Sequence, residues 1–226
     1  MNSHPLLDIM QREEAELEQF AADRPDLWQI IHSCGTTTEA LLAPIWTLRN
    51  TSPAEELRLM LWQRVVHYQF SSLRFIITRE LDAGYTLLRN VTELVRDIAC
   101  IKNNPDNAKL WYESKSGNKL DRQKYRGTFK FDTSDLRHKA VHELYKKASE
   151  WGTHGHYSMM FSSEKAPSFD AKDYLAEGVR ISDQAVYDNL VVWLASFCSI
   201  QWLCSEELAK SHPVDFEFGW KSLVEF

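Results

Sequence analysis

The sequence predicts an all-α protein, a single-domain antiparallel helical bundle, and three observations favour that fold. Turn formers are scarce, because the 226 residues include only 8 Gly and 7 Pro. Apolar residues recur at helical steps of three and four over long stretches. Alternating strand patterns are almost absent, with 127–132 as the one weak candidate. Hydrophobic residues at 44% and charged residues at 26% are typical of a globular domain rather than a disordered chain.

The stretch 81–101 is the clearest amphipathic helix, and we expect the bundle to be organised around it. Its apolar stripe is widened by Leu88 and Val95. The stripe itself consists of Leu87, Val91, Leu94, Ile98 and Ile101. At about 100° per residue, Arg89, Glu93 and Arg96 fall together on the opposite side. This helix therefore offers a core face and a narrow band of charge.

Three helical segments are predicted before the central helix. An acidic helix over 6–22 is followed by a second segment that starts at Pro25, since proline suits the first turn of a helix. We expect 34–36 to interrupt that segment and Pro44 to kink its continuation. Ser52 and Pro53 then start a long helix over 53–79, which a short break near 82–84 makes an antiparallel neighbour of the central helix.

Further helices are predicted after the central one, separated by irregular segments around 115–131 and 152–170. A short helix over 106–114 precedes the first segment, and a helix over 132–151, capped by Asp132 or Ser134, follows it. Ser182 and Asp183 then cap a long last helix that His212 and Pro213 end. The aromatic tail beyond it is expected to pack back or to dock a partner.

The charge is unevenly distributed along a chain whose net charge is −6. Residues 102–147 contain 12 Lys and Arg against 6 Asp and Glu, so the rest of the chain carries −12. RNA or another anionic ligand is therefore the partner that this basic region would attract. The four cysteines form no CxxC pair, and neither a signal peptide nor an apolar run of membrane-spanning length is seen. We expect a reduced, cytoplasmic protein that does not enter a membrane.

Two polar stripes on the neighbouring helices 53–79 and 81–101 form the first candidate site. They consist of Arg64, His67, Ser71 and Arg74 on the first helix and Arg89, Glu93 and Arg96 on the second. Unpaired charge is costly to bury, so these groups need water, a partner or a ligand. One interpretation is a cleft that binds an anion or phosphate. The other is a solvated face with a structural Arg–Glu pair.

Two further patterns involve His142. With His138 it forms an i, i+4 pair on one helix face, which can hold a metal ion, although no obvious third ligand goes with it. We therefore predict no metal site, and no cofactor. With Arg137 it matches the Arg-x4–6-His spacing of HEPN-type ribonucleases. In such a pair Arg stabilises a phosphate and His moves a proton of the 2′-hydroxyl, whereas the alternative is a basic solvated helix.

The last candidate combines LLRNVTEL, NNPDNAKLW and LYKKASEWGTHG. Their order resembles that of uncharacterised bacterial helical proteins of the HEPN-like kind, over about 87–156. The resemblance implies a helical bundle whose shared polar positions are Arg89, Glu93, Ser149 and His154. In HEPN-type ribonucleases the active pair works at a dimer groove, so a homodimer is among the expectations. His154, which would correspond to the catalytic His of those proteins, is preceded by Ser-Glu-Trp-Gly-Thr and lacks the Arg expected there.

Two functions remain open from the sequence. One is a non-catalytic binding or interaction protein with a polar Arg/Glu/His cleft, of a kind that would fit bacterial defence or stress. The other is a metal-independent HEPN-type ribonuclease, for which His154, Glu93, Arg89 and Ser149 are the candidate catalytic residues. Geometry discriminates between them, because a ribonuclease needs a histidine in a cleft together with an arginine and a polar partner.

Overall fold

The computed structural model describes residues 5–43, 52–115, 118–153 and 183–211, and these residues form an all-α fold. Within those ranges there are eight helices and no strand, so the predicted fold class is confirmed. The helices are α1 (Pro5–Asp23), α2 (Pro25–Leu42), α3 (Pro53–Ile77), α4 (Leu81–Asn103), α5 (Asn107–Lys115), α6 (Lys119–Thr128), α7 (Leu136–Thr153) and α8 (Asp183–Ser211). The weak strand candidate 127–132 is wrong, since 127–128 end α6.

Helix α2 is continuous, so the interruption predicted at 34–36 is wrong. Cys34 is fully buried and Thr38 nearly so, which commits this turn of the helix to the core. The hydroxyls of Thr36 and Thr38 donate to the carbonyls of His32 and Cys34 one turn earlier, at 3.1 and 2.8 Å. These bonds satisfy side chains that otherwise favour turns. Pro44 and its predicted kink lie outside the described residues.

The segment predicted as an irregular basic loop, 115–131, contains helix α6. Asn118 caps this helix, because its side chain accepts a hydrogen bond from the backbone N–H of Leu120 at 3.0 Å. Tyr125 packs on Phe129 with ring centroids 4.4 Å apart. The helix has no buried residue of its own, so no apolar periodicity could reveal it. Of the second predicted loop, 152 and 153 belong to α7, and the remainder lies outside the described residues.

Helices α3 and α4 pack along their length as antiparallel neighbours, as predicted. Three residues connect them, and Arg79 among these has a positive φ of 67°. Close approach depends on Gly84, because a Cβ there would lie 3.0 Å from Ile76 Cγ1 and 3.2 Å from the Ser72 carbonyl oxygen. Ser52 caps α3 as predicted, with its side chain accepting from Glu55 N–H. The packing of α3 on α4 is therefore fixed by the close approach of their backbones at Gly84.

Helix α7 packs against α4 and runs antiparallel to it, since Tyr145 lies over Arg89 whereas Gly152 contacts Thr86. Helix α8 runs antiparallel to α3, and the Trp193 indole N–H donates to the Gln69 carbonyl at 2.8 Å. Helix α4 thus has neighbours on more than one side. Its buried apolar residues are Leu88, Val91, Val95, Ile98 and Ile101. Leu87 and Leu94, predicted as members of the stripe, are only half-buried.

None of the described helices combines the length and the apolar character that a membrane span requires. All four cysteines are free thiols, two of them buried. Before α7, Asp132 accepts from the Ser134 backbone N–H at 3.0 Å, and the helix begins two residues later than Ser134. Ser182 and the tail that follows α8 lie outside the described residues.

Candidate functional site

The two polar stripes of α3 and α4 contact different helices, so the described contacts do not bring them into one cleft. Arg74 reaches α1 and pairs with Glu13 at 2.7 Å. Arg64 and His67 are exposed, and the His67 ring lies beside Tyr68, with centroids 5.8 Å apart. The stripe of α4, in contrast, faces α6 and α7.

Arg89 and Glu93 form an ion pair at the seam between α4 and α7. Arg89 Nε lies 3.2 Å from Glu93 Oε1, and both side chains are 33% exposed. The Arg89 guanidinium also lies over the ring of Tyr145 from α7, 5.7 Å from its centroid. The pair is thus anchored by a cation–π contact while it stays open to solvent, which allows Arg89 to meet an anion.

Of the predicted Arg/Glu/Ser/His cluster, Arg89 and Glu93 are paired on α4, and Ser149 lies on the neighbouring helix α7. Ser149 follows Tyr145 by one turn of α7 and is half-buried, so it belongs to the helix that contacts Arg89. His154 lies outside the described residues. The side chain of Arg137 is likewise outside them, and the predicted Arg137–His142 pair therefore lies outside the described residues.

A second polar cluster on α4 is almost completely buried, and sequence reasoning missed it. Arg96 Nη2 lies 2.7 Å from Asp97 Oδ1, with the two side chains 12% and 3% exposed. The Asp97 carboxylate also accepts from the Trp111 indole N–H at 2.9 Å and from the Tyr125 hydroxyl at 2.6 Å. Arg96 donates to that same hydroxyl oxygen at 2.7 Å. Three side chains therefore donate hydrogen bonds to one buried carboxylate, the arrangement that such a charge requires.

The protonation of this cluster follows from its burial. Burial, with the Asp97 charge as the next cause, raises the pKa of Tyr125 far above its usual range, so the hydroxyl remains a hydrogen donor. For Arg96 burial opposes the charge, but the Asp97 carboxylate and the Tyr125 oxygen outweigh it, and the pKa is raised. Tyr125 and Arg96 therefore keep their protons at neutral pH within this cluster. Its role is to join α4, α5 and α6.

His142 is engaged in ring stacking. Its imidazole lies on Phe131, with centroids 4.8 Å apart and planes at 17°. His138 is half-buried one turn earlier. Across the described ranges, no group of three His, Cys, Asp or Glu residues is placed to hold a metal ion. Phe131 in turn packs under the Arg96 guanidinium at 5.6 Å, so His142 belongs to an aromatic layer beside the buried cluster.

Comparison with protein-family models, curated proteins and solved structures finds no match for this chain. The resemblance to HEPN-like proteins therefore stays a prediction that depends on its own motifs.

Among the described residues, the most concentrated exposed positive charge lies on α6. Its cationic side chains are all exposed, and we call them the α6 surface: Lys119, Arg122, Lys124 and Arg126. Among the described residues, no ion pair involves any of these four. Asp121 is the single acidic residue of the helix. Tyr125 holds the helix on the body through Asp97, at 2.6 Å. The α6 surface is thus held in a fixed position against α4.

Proposed function

We propose that this protein is a non-enzymatic binding protein whose ligand is single-stranded RNA, held through its phosphates by the α6 surface. The observation that carries the proposal is the exposure of four cationic side chains on one short helix, none of them in an ion pair with another described residue. Exposed Lys and Arg gain affinity for nucleic acid by displacing the counterions that surround phosphates. Cations already paired with carboxylates gain far less.

The charge distribution confines a polyanion to this part of the molecule. Residues 115–130 contain six Lys and Arg and one Asp, whereas the remaining residues together carry a net charge of −11. An acidic body repels phosphates and a basic patch attracts them, so the field orients an approaching RNA toward α6. A uniformly acidic protein of the same net charge would lack this orientation.

The support of α6 strengthens the proposal. A short helix is marginal in isolation, because few hydrogen bonds compensate the ordering of its backbone. Here the Tyr125 hydroxyl is bonded to Asp97, its ring stacks on Phe129, and the Lys115 ammonium lies 5.2 Å from its centroid. Because the helix is held in place before a ligand arrives, binding pays less for ordering the cations.

An exposed aromatic residue favours single-stranded RNA over a duplex. Tyr112 is 54% exposed on α5, the helix that packs against α6. Unpaired bases can stack on such a ring, whereas paired bases cannot. A strand that follows the cations of α6 could therefore place a base on Tyr112.

Fluorescence anisotropy with a labelled single-stranded RNA oligonucleotide tests the proposal. The variant Lys119→Glu/Arg126→Glu reverses two charges of the α6 surface. The matched control, Arg64→Glu/Lys139→Glu, changes the net charge equally at exposed positions on α3 and α7. We expect the first variant to lose at least about tenfold in affinity and the control less than about threefold, since contacts to phosphate act locally. Equal losses would contradict the proposal, as would a wild-type protein that does not bind.

A second candidate is the metal-independent ribonuclease of HEPN type, which the Arg89–Glu93 pair at the α4–α7 seam favours. Arg89 is one-third exposed and can contact a phosphate, and Ser149 lies on the helix across the seam. Incubating the RNA with protein and a chelator, followed by denaturing electrophoresis, distinguishes the two functions. Intact RNA supports binding alone. Cleavage that Arg89→Ala abolishes, and that Arg64→Ala leaves unchanged, would replace the binding function by the enzymatic one.

A further inference from the structure

A cavity of about 270 Å³ lies where α1, α2, the end of α3 and the start of α8 meet. Its apolar lining is drawn from all four helices: Phe20, Leu27, Ile77, Val186 and Leu190. Polar side chains of α1 and α8 complete the lining, together with Arg24 before α2 and Arg79 after α3. An apolar cavity with a few polar groups at its edge is the usual form of a small-molecule site.

The cations at this cavity already have partners. Arg24 lies 2.9 Å from Asp26 Oδ2, and its guanidinium lies over the ring of Tyr187 at 5.3 Å. Arg79 pairs with Asp183. The positive φ of Arg79, 67°, is unfavourable for a residue with a side chain, yet it occurs in the connection that places this arginine near α8. The two positive charges are therefore neutralised within the protein.

Two carboxylates at the cavity remain without a cation. Asp23 accepts a hydrogen bond from the Gln19 amide at 2.8 Å, a neutral donor. Glu16 lies one helical turn before Phe20, which lines the cavity with it. Among the described residues, neither Glu16 nor Asp23 takes part in an ion pair. The uncompensated charge at the cavity is thus negative.

We propose that this cavity is a binding site for a small organic cation, a protonated amine with an apolar or aromatic body. The ammonium group would be held by Glu16 and Asp23, and the body would cover Phe20 and Leu27. Tyr187 lines the same cavity and is 40% exposed, so it adds aromatic surface for the body of the ligand. This site is separate from the α6 surface and does not depend on RNA binding.

Isothermal titration with two probes of opposite charge tests the site. The amine 2-phenylethylamine and the acid 3-phenylpropanoate share a ring and a two-carbon linker, so their difference reports the charge preference. We expect the wild-type protein to bind the amine at least about tenfold more tightly than the acid, because the two carboxylates attract the ammonium group and repel the carboxylate of the acid, and each interaction is worth up to about fivefold. Equal affinities, or no saturable binding of the amine, would overturn the proposal.

Substitutions then locate the preference. Glu16→Gln/Asp23→Asn removes both charges with little change of shape, and we expect the preference for the amine to disappear. The control Glu14→Gln/Glu18→Gln removes two exposed carboxylates of the same helix that do not line the cavity, and should keep it. Circular dichroism verifies that each variant is folded. If a double variant unfolds, the single variant Glu16→Gln is measured instead, and an undiminished preference there contradicts the assignment.

Discussion

The Tyr125 hydroxyl donates a hydrogen bond to Asp97 Oδ2 at 2.6 Å and thereby joins α6 to the central helix α4. The same hydroxyl oxygen accepts from Arg96 at 2.7 Å, so one phenol serves both members of a buried ion pair. The buried Arg96–Asp97 cluster consequently holds the α6 surface in position. This contact should therefore contribute both to the stability of the fold and to the proposed binding function.

Replacing Tyr125 by Phe should destabilise the protein by about 1–3 kcal/mol, because it leaves a buried, charged acceptor with one partner fewer. Urea titration followed by circular dichroism measures the free energy of unfolding. Tyr112→Phe is the matched control, since that ring is exposed and its hydroxyl is replaced by water at little cost, within about 0.5 kcal/mol. Similar values for the two variants would show that the Tyr125 hydroxyl does not stabilise the fold.

Replacing Asp97 by Asn should cost more, about 3–5 kcal/mol, because Arg96 is then left buried without a counter-charge. The Arg96 side chain is only 12% exposed and cannot recover its hydration without moving. The control Asp106→Asn alters an exposed carboxylate in the turn before α5. Chemical denaturation of both variants gives the comparison. A cost below about 1 kcal/mol at Asp97 would mean that the ion pair contributes no more than a surface pair.

The seam between α4 and α7 depends on Gly152. A Cβ at this position would lie 2.7 Å from the Thr86 backbone nitrogen, so Gly152→Ala has to push the helices apart, at about 1–3 kcal/mol. Gly35→Ala is the opposite case, because nothing lies within 4 Å of its Cβ position and α2 is continuous there. Alanine should stabilise that helix by up to about 1 kcal/mol. Melting temperatures that move in the same direction for both variants would refute this contrast.

Alkaline pH should destabilise the fold through groups that are buried in their protonated form. Burial, with the neighbouring Cys198 thiol as the next cause, raises the pKa of Cys34 to about 12 from an ordinary value of 9.0. Burial also raises the pKa of Tyr85. A raised pKa gives stability that is complete below the unfolded value and is lost as the pH rises toward the folded one. Free energies of unfolding should therefore be level between about pH 7 and 9 and fall above it.

Cys34→Ala separates the thiol from the tyrosines in this experiment. The variant should lose less stability than the wild type between about pH 9 and 12, because the difference in proton binding at position 34 is gone. A decline equally steep in both proteins would assign the alkaline transition to other groups.

The long helices were predictable from the sequence because their apolar residues recur at helical steps of three and four. For α4 the stripe from Val91 to Ile101 is sufficient, and Ser52 with Pro53 marks the start of α3. Helix α6 was missed because Tyr125 alone among its side chains packs toward the body in the described contacts, and a single contact has no period. The continuity of α2 does not follow from the sequence, because Gly35 favours a break and only the tertiary fold buries Cys34 beside it.

The buried cluster around Asp97 was missed for a different reason. Asp97 follows Leu94 by three residues and precedes Ile101 by four, so a carboxylate occupies a position of the apolar stripe. That placement was the available signal. Its partners Trp111 and Tyr125 are 14 and 28 residues away, and only the tertiary fold brings them to Asp97. The sequence left two interpretations of the polar stripes open, because helical period alone does not say which third helix each side chain contacts. In the described residues Arg74 pairs with Glu13 of α1, whereas Arg89 lies over Tyr145 of α7.

The salt dependence of RNA affinity tests the central proposal most directly. For single-stranded nucleic acid, the slope of log affinity against log salt is about −0.7 for each phosphate contact. If Arg122 and Lys124 each contact a phosphate, the variant Arg122→Gln/Lys124→Gln should reduce the magnitude of the wild-type slope by about 1.4, whereas Arg64→Gln/Lys139→Gln should leave it unchanged. An unchanged slope in the α6 variant, with wild-type affinity, would contradict the account.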